Sequence, residues 1–451
     1  MLKIRSSLTR SGLHNGMTTH LSGQIENVAP KAASALCDTA VSLLTGGSDK
    51  PYVYGLTQVL LAKGVTVDLI GSDELDDPDL SRRPGVNFLN LRGDQRSNAS
   101  FRIKMSRIIK YYGRLLAYAA AAKPKIFHIL WNNRFEVFDR TALMLYYKCL
   151  RKKVLLTAHN VNAGTRDGKD GFINRLTLRI QYHLADRIFV HTPRMRGELL
   201  RSFGVCDDRV TIIPFGINNA VPNSGLAPSE ARRRLGIQEN EKVLLFFGRI
   251  KPYKGLECLL AAFAEISKGR HDYRLLIVGD LDALNGESYN NSIRMAIENS
   301  ASAATILFRT EFVPDEDIEI YFKAADVLVL PYTHIFQSGV LVLGYSFGLP
   351  VIATDVGSLK EDIVESETGF VCKARDPRDL ARAIERYFAS ELFKNLSVRR
   401  TAIQDLARER HSWERVAEIT IAAYADLLDP IRRKLIKQNR GRGSFDQTTS
   451  L

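Results

Sequence analysis

The chain is poor in cysteine: five occur in 451 residues, and they stand far apart. Cys37, Cys149, Cys206, Cys258 and Cys372 form no CxxC pair and no Cys/His spacing. That argues against a disulfide framework and against a zinc site, and it fits a reducing compartment. Long apolar runs are missing too. Nowhere do about 18 consecutive apolar residues occur, the length a spanning helix needs, so no membrane-crossing segment is expected. The opening MLKIRSSLTRSGLHNGMTTHLSGQ scatters charges and hydroxyls with no apolar stretch of signal-peptide length, and export is not expected. The remaining composition, 45% hydrophobic, 25% charged and 9% aromatic, belongs to a globular protein with a normal core. A chain of this length predicts two domains.

The net charge of +13 is unevenly spread. Residues 1–220 hold 32 Lys/Arg against 18 Asp/Glu, a balance of +14, whereas the rest holds 31 against 32. Residues 101–153 alone carry 13 basic and 2 acidic side chains, and the tail from Ile431 adds 6 against 1. Such stretches read as footprints for an anionic surface, phospholipid or nucleic acid.

Residues 1–38 show no sustained periodicity and read as a flexible extension. From Ala40 short apolar strands alternate with amphipathic segments: AVSLLT, VTVDLIG, FLNLR, IFHILW, VLLTAHN and RIFVHT, separated by helix candidates such as YVYGLTQVLLAKG, the stretch 101–122 and GFINRLTLRIQYHL. After a Pro/Gly/Ser-rich seam at 220–236 the rhythm restarts with KVLLFFG, YRLLIVGD, TILF, ADVLVLPY and PVIATDVG. Strands alternating with helices predict two α/β, doubly wound parallel-sheet domains in tandem, with ligands in a cleft at the carboxyl ends of the strands.

Chemistry should therefore follow strands. Gly248-Arg249-Ile250-Lys251-Pro252-Tyr253-Lys254-Gly255 does so, directly after KVLLFF. A glycine and cations at a strand end suit a pyrophosphate, which needs charge-assisted bonds in a partly dry cleft; the same pattern alone is also that of a solvated basic turn. Gln337-Ser338-Gly339-Val340 opens the next candidate, a helix start whose free N–H groups and dipole favour phosphate. An ordinary N-cap by Ser338 explains that segment as well.

Taken in order, GRIKPYKGLECLLAAFAEI, LLIVGD, FVPDEDIEIYFKAADVLVLPY, QSGVLVLGYSFGLPVIATDVGSLKEDI and ETGFVC resemble glycosyltransferase family 4. The blocks span residues 242–386, and the N-terminal half is similar more loosely, through its glycine turn and strand pattern. The resemblance implies a GT-B fold, two Rossmann-like domains facing a central cleft. It divides the chain into an extension 1–38, an acceptor-binding domain 39–219, a linker 220–236, a nucleotide-sugar-binding domain 237–412, a helix 413–430 packing back toward the first domain, and a basic flexible tail 431–451.

The resemblance further implies a UDP- or GDP-sugar donor used as substrate, with no cofactor and no metal, and hexosyl transfer with retention of configuration. Residue by residue it places Gly248, Arg249, Lys254 and the amides of Ser338, Gly339 and Val340 on the donor phosphates, and Phe312 and Val313 at the nucleotide base. It places Gly46 and Gly47 at the turn approaching donor and acceptor, although a plain strand-to-helix turn explains those two glycines equally. His159, closing VLLTAHN, matches the active-site histidine beside the transferring sugar. His128 on its apolar strand is assigned to packing, and His191 is left open.

One departure stands out. The paired glutamates, with seven residues between them, that usually precede GLPV are replaced by Ile335 and Leu343, and Gln337 is the nearest substitute for sugar contacts.

The basic amphipathic candidate FRIKMSRIIKYYGRLLAYAAAAK suits an anionic membrane face presenting a lipid-linked or glycan acceptor, or else a solvated face over a core helix. Nucleic acid is not expected, since no recognition-helix, RNP-like or zinc signature accompanies the charge. The expectation is a cytoplasmic enzyme of polysaccharide or glycolipid assembly, working at the inner membrane face. Two rivals stay open: a nucleotide-sugar epimerase of the same fold, and a non-catalytic partner protein lacking the glutamates.

Overall fold

The computed structural model describes residues 39–46, 50–95, 100–219, 221–281 and 287–429. The expected extension 1–38, the tail 431–451 and Gly47 lie outside the described residues.

Two fully parallel sheets form the molecule. The first has seven strands, β1 (Ala40–Leu44), β2 (Thr66–Gly71), β3 (Val86–Asn90), β4 (Ile126–Ile129), β5 (Lys153–Thr157), β6 (Arg187–Val190) and β7 (Val210–Ile212), in the order β3-β2-β1-β4-β5-β6-β7. The second has six, β8 (Lys242–Phe247), β9 (Tyr273–Val278), β10 (Ile306–Arg309), β11 (Val327–Leu330), β12 (Val351–Thr354) and β13 (Gly369–Cys372), in the order β10-β9-β8-β11-β12-β13. Helices cover both faces, so the central strands read as continuous apolar runs: every residue of β4, β11 and β12 is buried. Strand order reverses between β1 and β4 and again between β8 and β11. Those switch points are where an open parallel sheet leaves a crevice.

The strands β7 and β13 were not expected, because VTI and GFVC, each mixed with a polar residue or a glycine and only partly buried, write no unbroken apolar run. Helix ends also differ slightly. The segment expected over 52–64 is helical from Lys50 to Ala62, with Gly64 at φ +80° beyond its end. The stretch 220–236, expected as a linker, carries the helix Pro228–Arg234 and is anchored to the second sheet. Its Arg232 is buried and pairs with Asp326 at 2.7 Å, while the same carboxylate accepts from the Val243 amide at 2.8 Å.

The chain crosses between the sheets twice. The outward crossing runs through Phe215–Ile217 and the return through His411–Trp413, and the two are bonded together. Ile217 N donates to His411 O at 3.1 Å, and the Trp413 indole donates to Ile217 O at 2.8 Å. The last helix, Trp413–Leu428, then lies on the helix Lys50–Ala62 of the first half. Gly55 and Gly216 make room for the Trp413 ring, since a Cβ at either would stand 2.3–2.4 Å from it. Tyr424 on this helix reaches His128, which is 1% exposed and held at 2.7 Å by both Tyr424 Oη and Thr157 Oγ1. Among the described residues, no helix is long and apolar enough to cross a membrane.

Candidate active site

The loops after β8 and β11 meet at the second switch point. Gly248 adopts φ +96°, and a Cβ there would stand 2.9 Å from Lys254 Nζ and 3.5 Å from Val340 Cγ2. The glycine thus brings GRIKPYKG and QSGV into contact. A second glycine, Gly255 at φ +65°, leaves room for Pro331 O, and the Thr333 amide donates to Tyr253 O at 2.7 Å. Both loops are tied down.

Lys254 and Arg249 occupy this junction in different states. Lys254 is 7% exposed, and its ammonium has no carboxylate or hydrogen-bond partner among the described residues; it lies 5.6 Å over the Tyr332 ring. Burial, reinforced by repulsion from Lys251 and Arg249, lowers its pKa to about 7. A buried ammonium without a counter-charge is costly, and a bound anion removes that cost. Arg249, expected beside Lys254 on the donor diphosphate, is solvent-facing, its side chain 62% exposed and 3.8 Å from Asp280.

Ser338 caps the helix Gly339–Ser346, its hydroxyl accepting from Leu341 N at 3.3 Å. Gly339 faces the first half, where a Cβ would meet the Phe215 ring at 3.2 Å. Gln337 Oε1 is buried and unpartnered. Phe312 is 80% exposed in the loop after β10, free to lie against a planar ligand, while Val313 packs on the core.

On the opposite side Gly46 follows β1 at φ +60°, with the backbone of Trp131 and Asn132 too close to admit a Cβ. His159 follows β5, stacked on Trp131 with ring centres 4.2 Å apart and planes 6° apart. His191, which sequence left open, stands behind it: His191 Nε2 lies 2.9 Å from His159 Nδ1, and His191 Nδ1 lies 3.1 Å from Ile213 O.

Hydrogen-bond chemistry fixes the protons in this chain. A carbonyl only accepts, so Nδ1 of His191 carries its proton. Burial holds the His191 pKa down to about 4 and that of His159 well below the usual range, so both rings are neutral. The bare Nε2 of His191 then accepts from His159 Nδ1–H. This leaves His159 Nε2 as an acceptor, and that atom is buried with no partner.

Sequence offered no signal for the pairing beyond a histidine in FVHTP, nor for His334. His334 Nδ1 is a third buried orphan, in a cavity of about 350 Å³ that also includes Arg194, Ile335 and Gly357. Burial and the neighbouring Arg166 and Arg194 hold the His334 pKa down. The departures at Ile335 and Leu343 are absorbed into packing: Leu343 is 5% exposed in the core and Ile335 packs against it. Two bonds span the halves here, Arg194 to Gly357 O at 2.8 Å and Ser358 to Thr192 at 2.8 Å between hydroxyls. Among the described residues, no group of three or more His, Cys, Asp or Glu is placed to hold a metal ion.

Comparison with known proteins gives this geometry a context. Residues 229–405 match the family described as "Glycosyl transferases group 1", and residues 50–221 match "Glycosyltransferase Family 4". The D-inositol 3-phosphate glycosyltransferase of Geodermatophilus obscurus is 30% identical over 250 residues, 53% of this chain and 52% of that protein. An uncharacterised glycosyltransferase of Methanocaldococcus jannaschii is 27% identical over 253 residues, 55% of this chain and 62% of that protein. The matched region thus spans little more than half the length of these relatives.

Among solved structures, a sucrose-phosphate synthase from Thermosynechococcus elongatus superposes with TM-score 0.71 at 21% identity, covering 86% of this chain and 99% of that one. Anabaena HepE, in complex with UDP and glucose, superposes with TM-score 0.67 at 16% identity, covering 86% and 99%. With each sheet matched by its own family and the whole architecture shared with these structures, the chain belongs to glycosyltransferase family 4 and has the GT-B fold.

Proposed function

We propose that the protein transfers a hexosyl group from a nucleotide-sugar donor to an acceptor hydroxyl, with retention and without a metal. The observation that carries this reading is Lys254: a buried ammonium with no counter-charge, in contact with Gly248 and beside Val340 at the start of a helix. A nucleoside diphosphate supplies the missing charge. As the sugar's anomeric bond breaks, charge grows on that diphosphate. Lys254, the amides of Ser338, Gly339 and Val340, and Arg249 swinging in from solvent stabilise it electrostatically. Phe312 offers its exposed ring to the base. His159 Nε2, a preset acceptor, takes a hydrogen bond from a sugar hydroxyl and orients the reacting face.

UDP is the donor nucleotide we favour, since HepE, of the same fold, was solved with UDP, with UDP and glucose, and with UDP-glucose. Gln337 and His334, whose buried orphan atoms lie beside Ile335, take the sugar contacts left vacant by the missing glutamates. The helix Phe101–Ala121 exposes Phe101, Ile103 and Ile109 among its basic residues, which supports work at an anionic cytoplasmic membrane face, in glycolipid or polysaccharide assembly.

Calorimetry of UDP and UDP-glucose, followed by product analysis with acceptor present and absent, tests the reading. Saturable UDP binding lost in Lys254→Ala, with acceptor-dependent sugar transfer, is expected. Epimerised donor without acceptor would establish the epimerase reading instead. Binding without any turnover would establish the non-catalytic one.

A further inference from the structure

Four basic residues of the first half converge on a cleft of about 300 Å³ at the first switch point, away from Lys254. Gly46 follows β1, Arg92 follows β3, Asn132 and Arg134 follow β4, and Lys104 and Arg107 come from the helix Phe101–Ala121. Against four cations the lining holds one carboxylate, Asp94, which pairs with Arg107 at 2.9 Å.

Arg92 is held in place. It donates to Gly46 O and, at 3.2 Å, to Asn133 Oδ1, and it lies 4.9 Å over the Tyr111 ring. The Tyr111 hydroxyl donates to the same Asn133 oxygen at 2.5 Å. Lys104 and Arg134 differ: neither side chain has an ion-pair or hydrogen-bond partner among the described residues. The cleft therefore joins one fixed guanidinium to two unpaired cations and carries a surplus of positive charge.

We propose that this cleft binds a phosphate group on the acceptor. A phosphate monoester carries about −1.5 to −2 at neutral pH and accepts charge-assisted bonds from cations in this arrangement. Location argues that the phosphate belongs to the acceptor. Asn132 lines both this cleft and the cavity of about 170 Å³ at His159, and its amide is fixed by a reciprocal pair with Gln181 at 2.6 and 3.2 Å. A molecule anchored by its phosphate beside Arg92 thus presents a hydroxyl across one residue from His159. This step rests on the proposed role of the His159 cleft as the reaction centre; the charge of the cleft stands without it.

The test uses the full chain saturated with UDP, so that phosphate cannot occupy the Lys254 site. Inorganic phosphate and glycerol 3-phosphate are titrated by calorimetry, and vesicles of phosphatidylcholine with and without phosphatidylglycerol are tested by co-sedimentation. The variant is the double substitution Lys104→Gln/Arg134→Gln, its fold checked by melting temperature.

Saturable binding of the soluble phosphates, weakened about tenfold or more in the variant with UDP affinity unchanged, supports the site and a soluble acceptor. Binding to phosphatidylglycerol vesicles alone, lost in the variant, supports the site with a lipid head group as the phosphate source. Equal phosphate and vesicle binding by both proteins, or binding of neither probe, overturns it. Failure of the wild type to bind UDP would instead sink the donor reading, and phosphate titration without UDP on Lys254→Ala, whose own anion site is removed, would still report on the cleft.

Discussion

His191 Nε2 lies 2.9 Å from His159 Nδ1, and through this contact the Ile213 carbonyl sets the protonation of a ring two residues of the network away. His191→Phe keeps a ring in place but removes the acceptor, so His159 can switch tautomer. Turnover should fall about tenfold or more with donor KM little changed, the size of effect expected when a positioned hydrogen bond is lost in the transition state. His191→Gln, whose amide both accepts and donates, should recover much of the loss. Nitrogen-15 NMR of His159 provides the direct check: an unprotonated Nε2 signal in the wild type and the Gln variant, lost or mixed in the Phe variant.

Lys254 should trade stability for binding. Lys254→Met removes a buried unpaired charge and should raise stability near neutral pH by about 1–3 kcal/mol in denaturant titrations. It should also cost about 2 kcal/mol or more in UDP affinity by calorimetry. A variant that bound UDP as well as wild type would remove Lys254 from the donor site.

The depressed pKa of Lys254, about 7 against 10.5 for an ordinary lysine, gives two opposite pH trends. A bound diphosphate favours the ammonium, so binding above pH 7 requires proton uptake, and UDP affinity should fall by up to about tenfold per pH unit until the free group's ordinary range is reached. Unfolding releases the amine to its ordinary pKa, so from about pH 7 to 10.5 the unfolded chain binds the extra proton and this group's contribution to stability rises with pH. Lys254→Met should flatten both trends, measured by calorimetry and by urea titration across that window.

Gly248→Ala tests the contact between the two loops proposed to bind phosphate. Its φ of +96° strains any side chain, and the new methyl would press on Lys254 Nζ. A destabilisation of about 1–2 kcal/mol is expected from the backbone alone. UDP affinity should drop as well, whereas Gly64→Ala, at φ +80° with open space around it, should show the strain without the binding loss.

Sequence made most of this architecture legible because a strand buried on both faces writes itself as an unbroken apolar run: IFHI, VLVL and VIAT need no alternation to be recognised. Short β7 and β13 escaped, since their pairing comes from neighbours rather than from their own pattern. Gly248, Lys254, Ser338 and Val340 could be marked as partners because each follows a strand of one sheet, and parallel topology delivers strand ends to one edge. Burial could not be read. Arg249 and Lys254 look alike in GRIKPYKG, yet one faces solvent and the other is sealed under Tyr332 and Gly248. Nor could the pairing of His159 with His191, 32 residues apart, be seen, because it depends on β5 and β6 being neighbours in register.

The stitched crossings at Phe215–Ile217 and His411–Trp413 have a mechanical consequence. Because outgoing and returning chain are bonded to each other, the covalent passages between the sheets are gathered into one seam, as a door's are at its hinge, while Arg194–Gly357 and Ser358–Thr192 act as latches between the halves. Any opening of the cleft must swing about that seam, which lies beside Phe215, the ring that Gly339 faces. Motion would therefore be smallest at the helix start proposed to bind phosphate and largest at the far rim, so that a donor could be admitted and released while the proposed hold on its diphosphate stays nearly still.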